Sequence, residues 1–411
     1  MARLVTSGFE IYVDTTATQT GPDGTAPSSP TLATRDTTVK RSGAASAKLT
    51  STAGSLNQID FAIAGAFDRG YWSRIYVRVT TLPTDVTSIV AHGTNVVQMD
   101  SSGRIFGFLN AAAQSPSIND GNWHRVEFYT KPSATQANRA WELRVDGATI
   151  SSGTAQGVDS SNYAAISVAI GGSAVLNFDD LAVNDDQGAS QNTWPGAGNV
   201  LLLLPTADSA VGTGWTLGTG TAISANSGST AVKNTPPISV ADLTAGSDTK
   251  QIRNATSNAN VNYDATMTTY TAAGVASGAT VNVVVPVVAT AAPLVTSAKA
   301  GTVGVVSNPA IANVALGAGG TAGAFWAGAA AGTYPAGWKW SSGTITYAPT
   351  VTLGTAPVMR VTQVTASTRI AMVCFMGIYV DYTPAAVTAK SLVASGNRGG
   401  RGGTLPQRIL R

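Results

Sequence analysis

The segment Asp120-Gly121-Asn122-Trp123-His124-Arg125-Val126-Glu127-Phe128-Tyr129, followed by Trp141-Glu142-Leu143-Arg144-Val145-Asp146-Gly147, constrains this chain more than any other. Trp141, Leu143 and Val145 share one parity, Glu142 and Arg144 the other, and the run stops at Asp-Gly. Period-two alternation closing on Asp-Gly specifies antiparallel strands with one buried face and a tight hairpin turn. The same parity sets His124 beside Val126 and Phe128, so His124 is expected in the core, neutral and hydrogen-bonded. His92, in Ala91-His92-Gly93-Thr94-Asn95, is expected in a turn.

Composition extends this reading to the whole chain. Only 11% of residues are charged and only three are glutamates, Glu10, Glu127 and Glu142. Helix surfaces draw on Glu, Lys and Arg, whereas Thr and Val favour strands, so the expected fold class is all-β. The formal net charge of +3 is uneven. No acid follows Asp381, but Lys390, Arg398, Arg401, Arg408 and Arg411 do, so the other 20 bases face 22 acids and the body carries −2. That balance argues against nucleic acid as a partner. A single cysteine, Cys374, excludes an intrachain disulfide framework. The N-terminus lacks an apolar signal core, and the apolar stretch from Val281 to Ala298 is broken by Pro286 and Pro293. Neither an export signal nor a membrane span is therefore expected.

Residues 1–187 read as one sandwich, with strands including Tyr71–Val79, Trp123–Tyr129, Trp141–Val145, Ala164–Ile170 and Asn177–Val183 about ten residues apart. A composition break at Asn184–Gly198 marks the linker. Residues 188–260 are expected to be linker and irregular, extended chain, apart from Asn199–Pro205, whose four leucines predict a strand buried on both sides. Residues 261–384 read as a second sandwich, and residues 385–411 as a basic Gly/Arg-rich tail. The apolar run Ile370–Val380 fits a central strand, or one with a face in the core and a face in a subunit interface, which points to a homo-oligomer.

No catalytic or metal-binding constellation is legible. Two isolated histidines without cysteine partners make no zinc site, and no Gly-x-Ser-x-Gly elbow occurs. Glu127 and Glu142 lie on different strands, without the carboxylate spacing of a glycosidase. Asp179 and Asp180 are adjacent and in a regular strand would face opposite ways; two carboxylates also supply too few oxygens for calcium. No cofactor and no metal are expected. Gly212-Thr213-Gly214-Trp215 lacks the ending of a phosphate loop and reads as a turn. One candidate binding row remains: Trp72, Arg74, Tyr76 and Arg78 share one face of a strand. Such a row suits sugar stacking, but a face covered by a neighbouring domain or subunit is the favoured reading. In the tail, Arg398, Arg401, Arg408 and Arg411 with Leu405, Ile409 and Leu410 are candidates for docking on a neighbouring subunit.

The strands around Trp123 and Trp141 resemble the central strands of laminin-G-like (concanavalin-like) jelly rolls. Asn177-Phe178-Asp179-Asp180-Leu181-Ala182-Val183-Asn184, Trp194-Pro195-Gly196 with Val200–Pro205 and Trp215-Thr216, and Met376-Gly377-Ile378-Tyr379-Val380-Asp381-Tyr382-Thr383-Pro384 resemble, in that order, segments of tailed-bacteriophage virion proteins. That resemblance implies an N-terminal jelly roll, a strand-rich C-terminal domain and a structural, non-enzymatic role in the virion. A minor tail protein is the first expectation, with other virion proteins as partners and a trimer as the assembly. A carbohydrate-binding adhesin touching a host-surface glycan through the jelly-roll sheet, and a head decoration or fibre protein, are the alternatives.

Overall fold

The computed structural model describes residues 3–10, 20–21, 24–25, 33–52, 56–63, 68–93, 95–107, 110–154, 165–217, 221–224, 226–233, 252–254, 260–290, 301–315, 339–342, 346–347, 349–363, 371–373 and 375–385. The tail residues Arg398, Arg401, Leu405, Arg408, Ile409, Leu410 and Arg411 lie outside this set, as does Cys374. The described chain is all-β, with two sandwiches built around two separate apolar cores. Among the described residues the regular helical structure is one turn at Gln136–Asn138 and one short helix, Ser227–Val232. No helix there is long and apolar enough to cross a membrane.

The first sandwich grows from the alternating strands read in the sequence. Tyr71–Thr81 pairs antiparallel with His124–Lys131 on one side and Val175–Asp185 on the other. Outward from these lie Ala140–Val145 and Ala148–Thr154 on one flank, and Ser46–Thr50, Ala33–Asp36 and Arg3–Ser7 on the other. Asp146 and Gly147 join Ala140–Val145 to Ala148–Thr154 with φ of 52° and 87°, the left-handed pair that a type I′ hairpin requires. A second eight-stranded antiparallel sheet, with Thr87–His92 and Ala165–Ile170 at its centre, lies across the core. Ile75, Val77, Val126, Phe128, Leu143 and Phe178 from the first sheet meet Ile59, Ile89, Val97, Ile105 and Val168 from the second. Each such side chain, fully buried, contributes on the order of 1.5–3 kcal/mol of transfer free energy. The two-sheet sandwich buries the apolar face that the alternation marks on each strand.

The chain enters the second sandwich at Asn199–Leu203 and changes sheet at once. Asn199–Leu203 pairs with Phe375–Thr383, whereas Pro205–Val211, one residue on, pairs with Val261–Met267 in the facing sheet. Pro205 is the first residue of its strand, where a missing N–H costs no ladder bond. The expectation of irregular structure here is overturned: Pro205–Val211, Trp215–Leu217 and Ser227–Val232 are regular elements. They lack a clear period because Pro205–Val211 is an edge strand whose second half is exposed. Gly212–Gly214 is a turn closed by a bond from the Trp215 amide to the Gly212 carbonyl.

Phe375–Thr383 is a central strand, flanked by Asn199–Leu203 and Thr280–Thr290, and both of its faces are buried. Met376, Ile378, Val380 and Tyr382 enter the second core. Asp381 lies on the opposite face, with side-chain exposure of 0%.

Candidate functional site: a buried charge network between the sandwiches

Asp381 is a carboxylate in an otherwise apolar strand, and its partners come from the other sandwich. Arg3 Nη1 donates to Asp381 Oδ2 at 2.6 Å, and Arg74 Nη1 and Nη2 donate to Oδ1 and Oδ2 at 3.4 Å each. The side chains of Arg3 and Arg74 are both fully buried. Arg3 also donates from Nε to Asn184 Oδ1 at 2.6 Å and from Nη2 to Gln191 Oε1 at 3.0 Å. Arg74 donates to the backbone carbonyls of Asp180 and Gly196. Burial alone would raise the Asp381 pKa, but the Arg74 and Arg3 guanidiniums outweigh it and hold the carboxyl below its usual range.

A second knot adjoins the first. The Val175–Asp185 strand slips register against Tyr71–Thr81 between Asp179 and Ala182, and Asp180 has φ 55°. This irregularity overturns the expectation that Asp179 and Asp180 face opposite ways. Both carboxylates reach the Arg41–Ala44 loop. Asp179 Oδ2 accepts the amides of Arg41 and Ser42 at 2.8 and 3.3 Å. Asp180 accepts from the Arg41 guanidinium, the Ser42 hydroxyl and the Val200 amide. Arg41 Nη1 also lies 2.9 Å from the Gly198 carbonyl and 2.8 Å from Asn199 Oδ1, and Ser42 Oγ lies 2.8 Å from the Val200 carbonyl. The loop thus ties the first sandwich to the first strand of the second. Glu10 accepts the Ala44 amide, and a Cβ on Gly43 (φ +59°) would lie 1.5 Å from Glu10 Oε1. Only glycine fits that position. Burial and then the charge of Asp180 push Asp179 well up from its ordinary value.

The segment between the sandwiches is pinned by rings. Trp72 stacks on Tyr129 with centroids 4.9 Å apart, Tyr129 meets Trp194 at 6.3 Å, and the Arg144 guanidinium lies 4.1 Å from the Trp194 ring centre. This cation–π contact and the ring pair hold Trp194 against the sheet.

The structure therefore separates the row Trp72, Arg74, Tyr76 and Arg78. Arg74 is buried in the charge network, and Tyr76 lies under the Arg41 guanidinium with 6% exposure. Trp72 is half-buried against Tyr129, and Arg78 is half-buried with its Nε donating to the Gly121 carbonyl. The four do not form one exposed surface. Parity placed them on one face correctly, but the second sandwich and the linker cover its middle.

The histidines exchange their expected roles. His92 ends its strand and is the buried one, 1% exposed, with Nδ1 2.6 Å from Thr130 Oγ1 and its ring edge-on to Tyr71. His124 sits at the sandwich rim, with Nδ1 2.8 Å from Asp146 Oδ2 and Nε2 2.9 Å from Asp120 Oδ1. Burial lowers its pKa, the two carboxylates raise it further, and the net direction is up. Each glutamate of the sheet is held by an arginine two residues away: Glu127 Oε2 by Arg125 Nε at 3.2 Å, and Glu142 Oε1 by Arg144 Nε at 2.7 Å. Arg3, Arg41 and Asp381 carry the network and were not singled out from the sequence. The available signal was Asp381, a lone charge inside an apolar strand.

No family model matches the chain, and no curated protein matches it. Among solved structures the chain is similar to the cellulose induced protein Cip1, at 19% identity, over 47% of this chain and 100% of that one, with a TM-score of 0.31. It is similar to the alginate lyase Aly36B, at 13% identity, over 44% and 95% of the two chains, with a TM-score of 0.31. An endo-beta-1,4-glucuronan lyase from the fungus Trichoderma reesei gives 13% identity, 38% and 90% coverage and a TM-score of 0.30. Each likeness spans less than half of this chain.

Arg74→Met and Asp381→Asn should each destabilise the protein by about 3–5 kcal/mol, because each leaves a buried partner uncompensated. The double variant should cost much less than the sum, since both residues sit in one network. Urea titrations of the four proteins measure this, and additive losses would refute the coupling. Gly198→Ala should destabilise by roughly 1–3 kcal/mol through overpacking, because its Cβ would lie 2.3 Å from Arg74 Nη1 and 2.8 Å from Asp381 Oδ1. Gly354→Ala, which meets nothing within 4 Å, is the control in the same thermal melt. The raised pKa of His124 means that its stabilising contribution is complete below its ordinary value of 6.5 and is lost as pH rises through the folded value. In an NMR titration Asp146→Asn should bring His124 back toward 6.5; an unchanged midpoint would show that Asp146 does not hold the charge.

Proposed function

We propose that this chain is a non-enzymatic structural component of a tailed-phage virion, a minor tail protein. It works as a rigid two-sandwich body that presents surfaces to other virion proteins and to further copies of itself. The observation that supports this reading most is where the network lies. The three segments whose sequences resemble phage virion proteins are the ones that join the sandwiches. Asn177–Asn184 carries Asp179 and Asp180, Trp194-Pro195-Gly196 is the pinned linker, and Met376–Pro384 carries Asp381. A component that transmits load or sets spacing needs a fixed angle between its modules. Buried, mutually satisfied charges supply one, because sliding would strand a charge away from water.

In the same reading the basic tail is the docking arm. Arg398, Arg401, Arg408 and Arg411 meet acids or carbonyls of a neighbouring subunit, and Leu405, Ile409 and Leu410 fill shallow apolar pockets. A trimer is the assembly this reading expects.

Particles purified on a density gradient should contain the chain, detected by mass spectrometry and located by antibody labelling at the tail. Its absence from purified particles would overturn the virion role. Removing residues 396–411 should leave the thermal midpoint unchanged and lower incorporation; wild-type incorporation of the truncated chain would overturn the docking arm alone.

A further inference from the structure

The large sheet carries one knot of polar groups that the joint between the sandwiches does not use. Leu176 and Phe178 enter the first core, so Asn177 between them stands on the outer face. Ala47 and Leu49 enter the same core and set Lys48 on that outer face too. Asn177 and Lys48 are directly opposite one another on neighbouring antiparallel strands. Residues paired in this way have Cβ atoms about 4.5–5.5 Å apart, within reach of a lysine stem. Asp36, on the next strand out, is opposite Ser46, two residues before Lys48 and on the same face.

Asn177 is 1% exposed, and both ends of its carboxamide are held. Nδ2 donates to Asp36 Oδ2 at 3.1 Å and lies 3.2 Å from Ser46 Oγ, and Oδ1 accepts from Thr80 Oγ1 at 3.1 Å. Asp36 is aimed in its turn. Its Oδ1 accepts the amides of Thr38 and Val39 at 2.8 and 2.9 Å, which leaves Oδ2 turned toward Asn177. Burial would raise the Asp36 pKa, but the Val39 and Thr38 amides, Asn177 and the charge of Lys48 outweigh it and hold the carboxyl below its ordinary value. An amine, a carboxylate and a dry carboxamide thus converge from three adjacent strands.

We propose that Lys48 and Asn177 form an intramolecular isopeptide cross-link, with Asp36 as the proton relay. Lys48 Nζ attacks Asn177 Cγ, the Cγ–Nδ2 bond breaks, and Nδ2 departs as ammonia. Of the protons on the Lys48 ammonium, one stays on the new amide nitrogen. A second passes through Asp36 Oδ2 to Nδ2, and the last leaves with the ammonia as ammonium. Asp36 ends as the carboxylate it began as, and no oxidant or co-reactant is needed. The Thr80 hydroxyl donates to the oxygen on which negative charge develops during the attack. Burial of Asn177 keeps water from competing for Cγ. The bond ties Ser46–Thr50 to Val175–Asp185, the strand that carries the bulge at Asp179–Ala182. A cross-link between positions so distant in sequence constrains the unfolded chain as a disulfide does, in a protein whose single cysteine allows no intrachain disulfide. This modification goes beyond the structural role and does not depend on it.

Intact mass and tryptic mapping of the full chain test the cross-link. The wild type should lack one ammonia, a loss of about 17 Da against the unlinked sequence. Its peptide containing Lys48 should appear joined to the one containing Asn177. Lys48→Arg keeps the charge but removes the nucleophile. Asp36→Asn keeps an acceptor for the Thr38 and Val39 amides but cannot relay the proton. Each variant should show two separate peptides, no loss of ammonia and a thermal midpoint below that of the wild type. Mapping reads the wild type itself, so the proposal stays testable if a variant fails to fold. Separate Lys48 and Asn177 peptides in the wild type would reduce the knot to a hydrogen-bonded cluster and overturn the cross-link, and a joined pair in Asp36→Asn would overturn the relay.

Discussion

Asp381 sits in the dark between two guanidiniums, and the arrangement of the two sandwiches depends on that contact. A carboxylate with no solvent exposure is tolerable only while its cations stay in place. Arg3 and Arg74 belong to one apolar core's sandwich and Asp381 to the other's. Separating the sandwiches would expose three charges at once or leave them unpaired in an apolar surround. Such a contact is short-ranged and geometrically exacting, unlike the apolar packing inside each sandwich, which tolerates sliding among similar shapes. It therefore fixes an orientation more than it adds net stability.

The network is possible because the backbone departs from regularity at a few points. A regular strand would have turned Asp179 and Asp180 to opposite faces. The slipped register at Asp179–Ala182, with Asp180 in the left-handed region, brings both to the Arg41–Ala44 loop. Bulges of this kind re-aim side chains, and here Asp180 reaches the neighbouring sandwich at the Val200 amide. Gly43 and Gly198 provide the matching voids: any Cβ at either would enter the carboxylate or guanidinium it adjoins. Strand irregularity, two glycines and four buried carboxylates are thus one construction.

The sequence made the fold class legible because alternation reports which side of a strand faces a core. Trp141, Leu143, Val126 and Phe128 point where their parity places them. Parity does not report what covers the other face, so Arg74 and Tyr76, correctly grouped with Trp72, were open to a surface reading that the second sandwich forbids. His124 shows the same limit at a strand end, where correct parity still leaves the ring at the rim between Asp120 and Asp146. His92, in a stretch that reads as a turn, is carried into the core by the strand before it. Edge strands such as Asn110–Ser117 and Pro205–Val211 escaped because they are largely exposed and carry no apolar period. Long-range pairs such as Arg3 with Asp381 leave no local trace beyond a charge in an unexpected place.

The guanidiniums of Arg3, Arg41 and Arg74 meet the carboxylates of Asp180 and Asp381, while Arg35 donates to the Glu10 carbonyl. Asp179 touches none of the guanidiniums and accepts backbone amides instead, including that of Asp180 at 2.8 Å. Burial and the neighbouring Asp180 push its pKa up. The two ends of the network then respond to pH with opposite signs. The lowered pKa of Asp381 gives stability that is present above its ordinary value and lost as pH falls through the folded one. The raised pKa of Asp179 gives stability that is present below its ordinary value and lost as pH rises through the folded one. Acid thus breaks the network at the Arg3–Asp381–Arg74 contact, whereas base strains it at the bulge. The joint between the sandwiches is strongest in the interval between those two events.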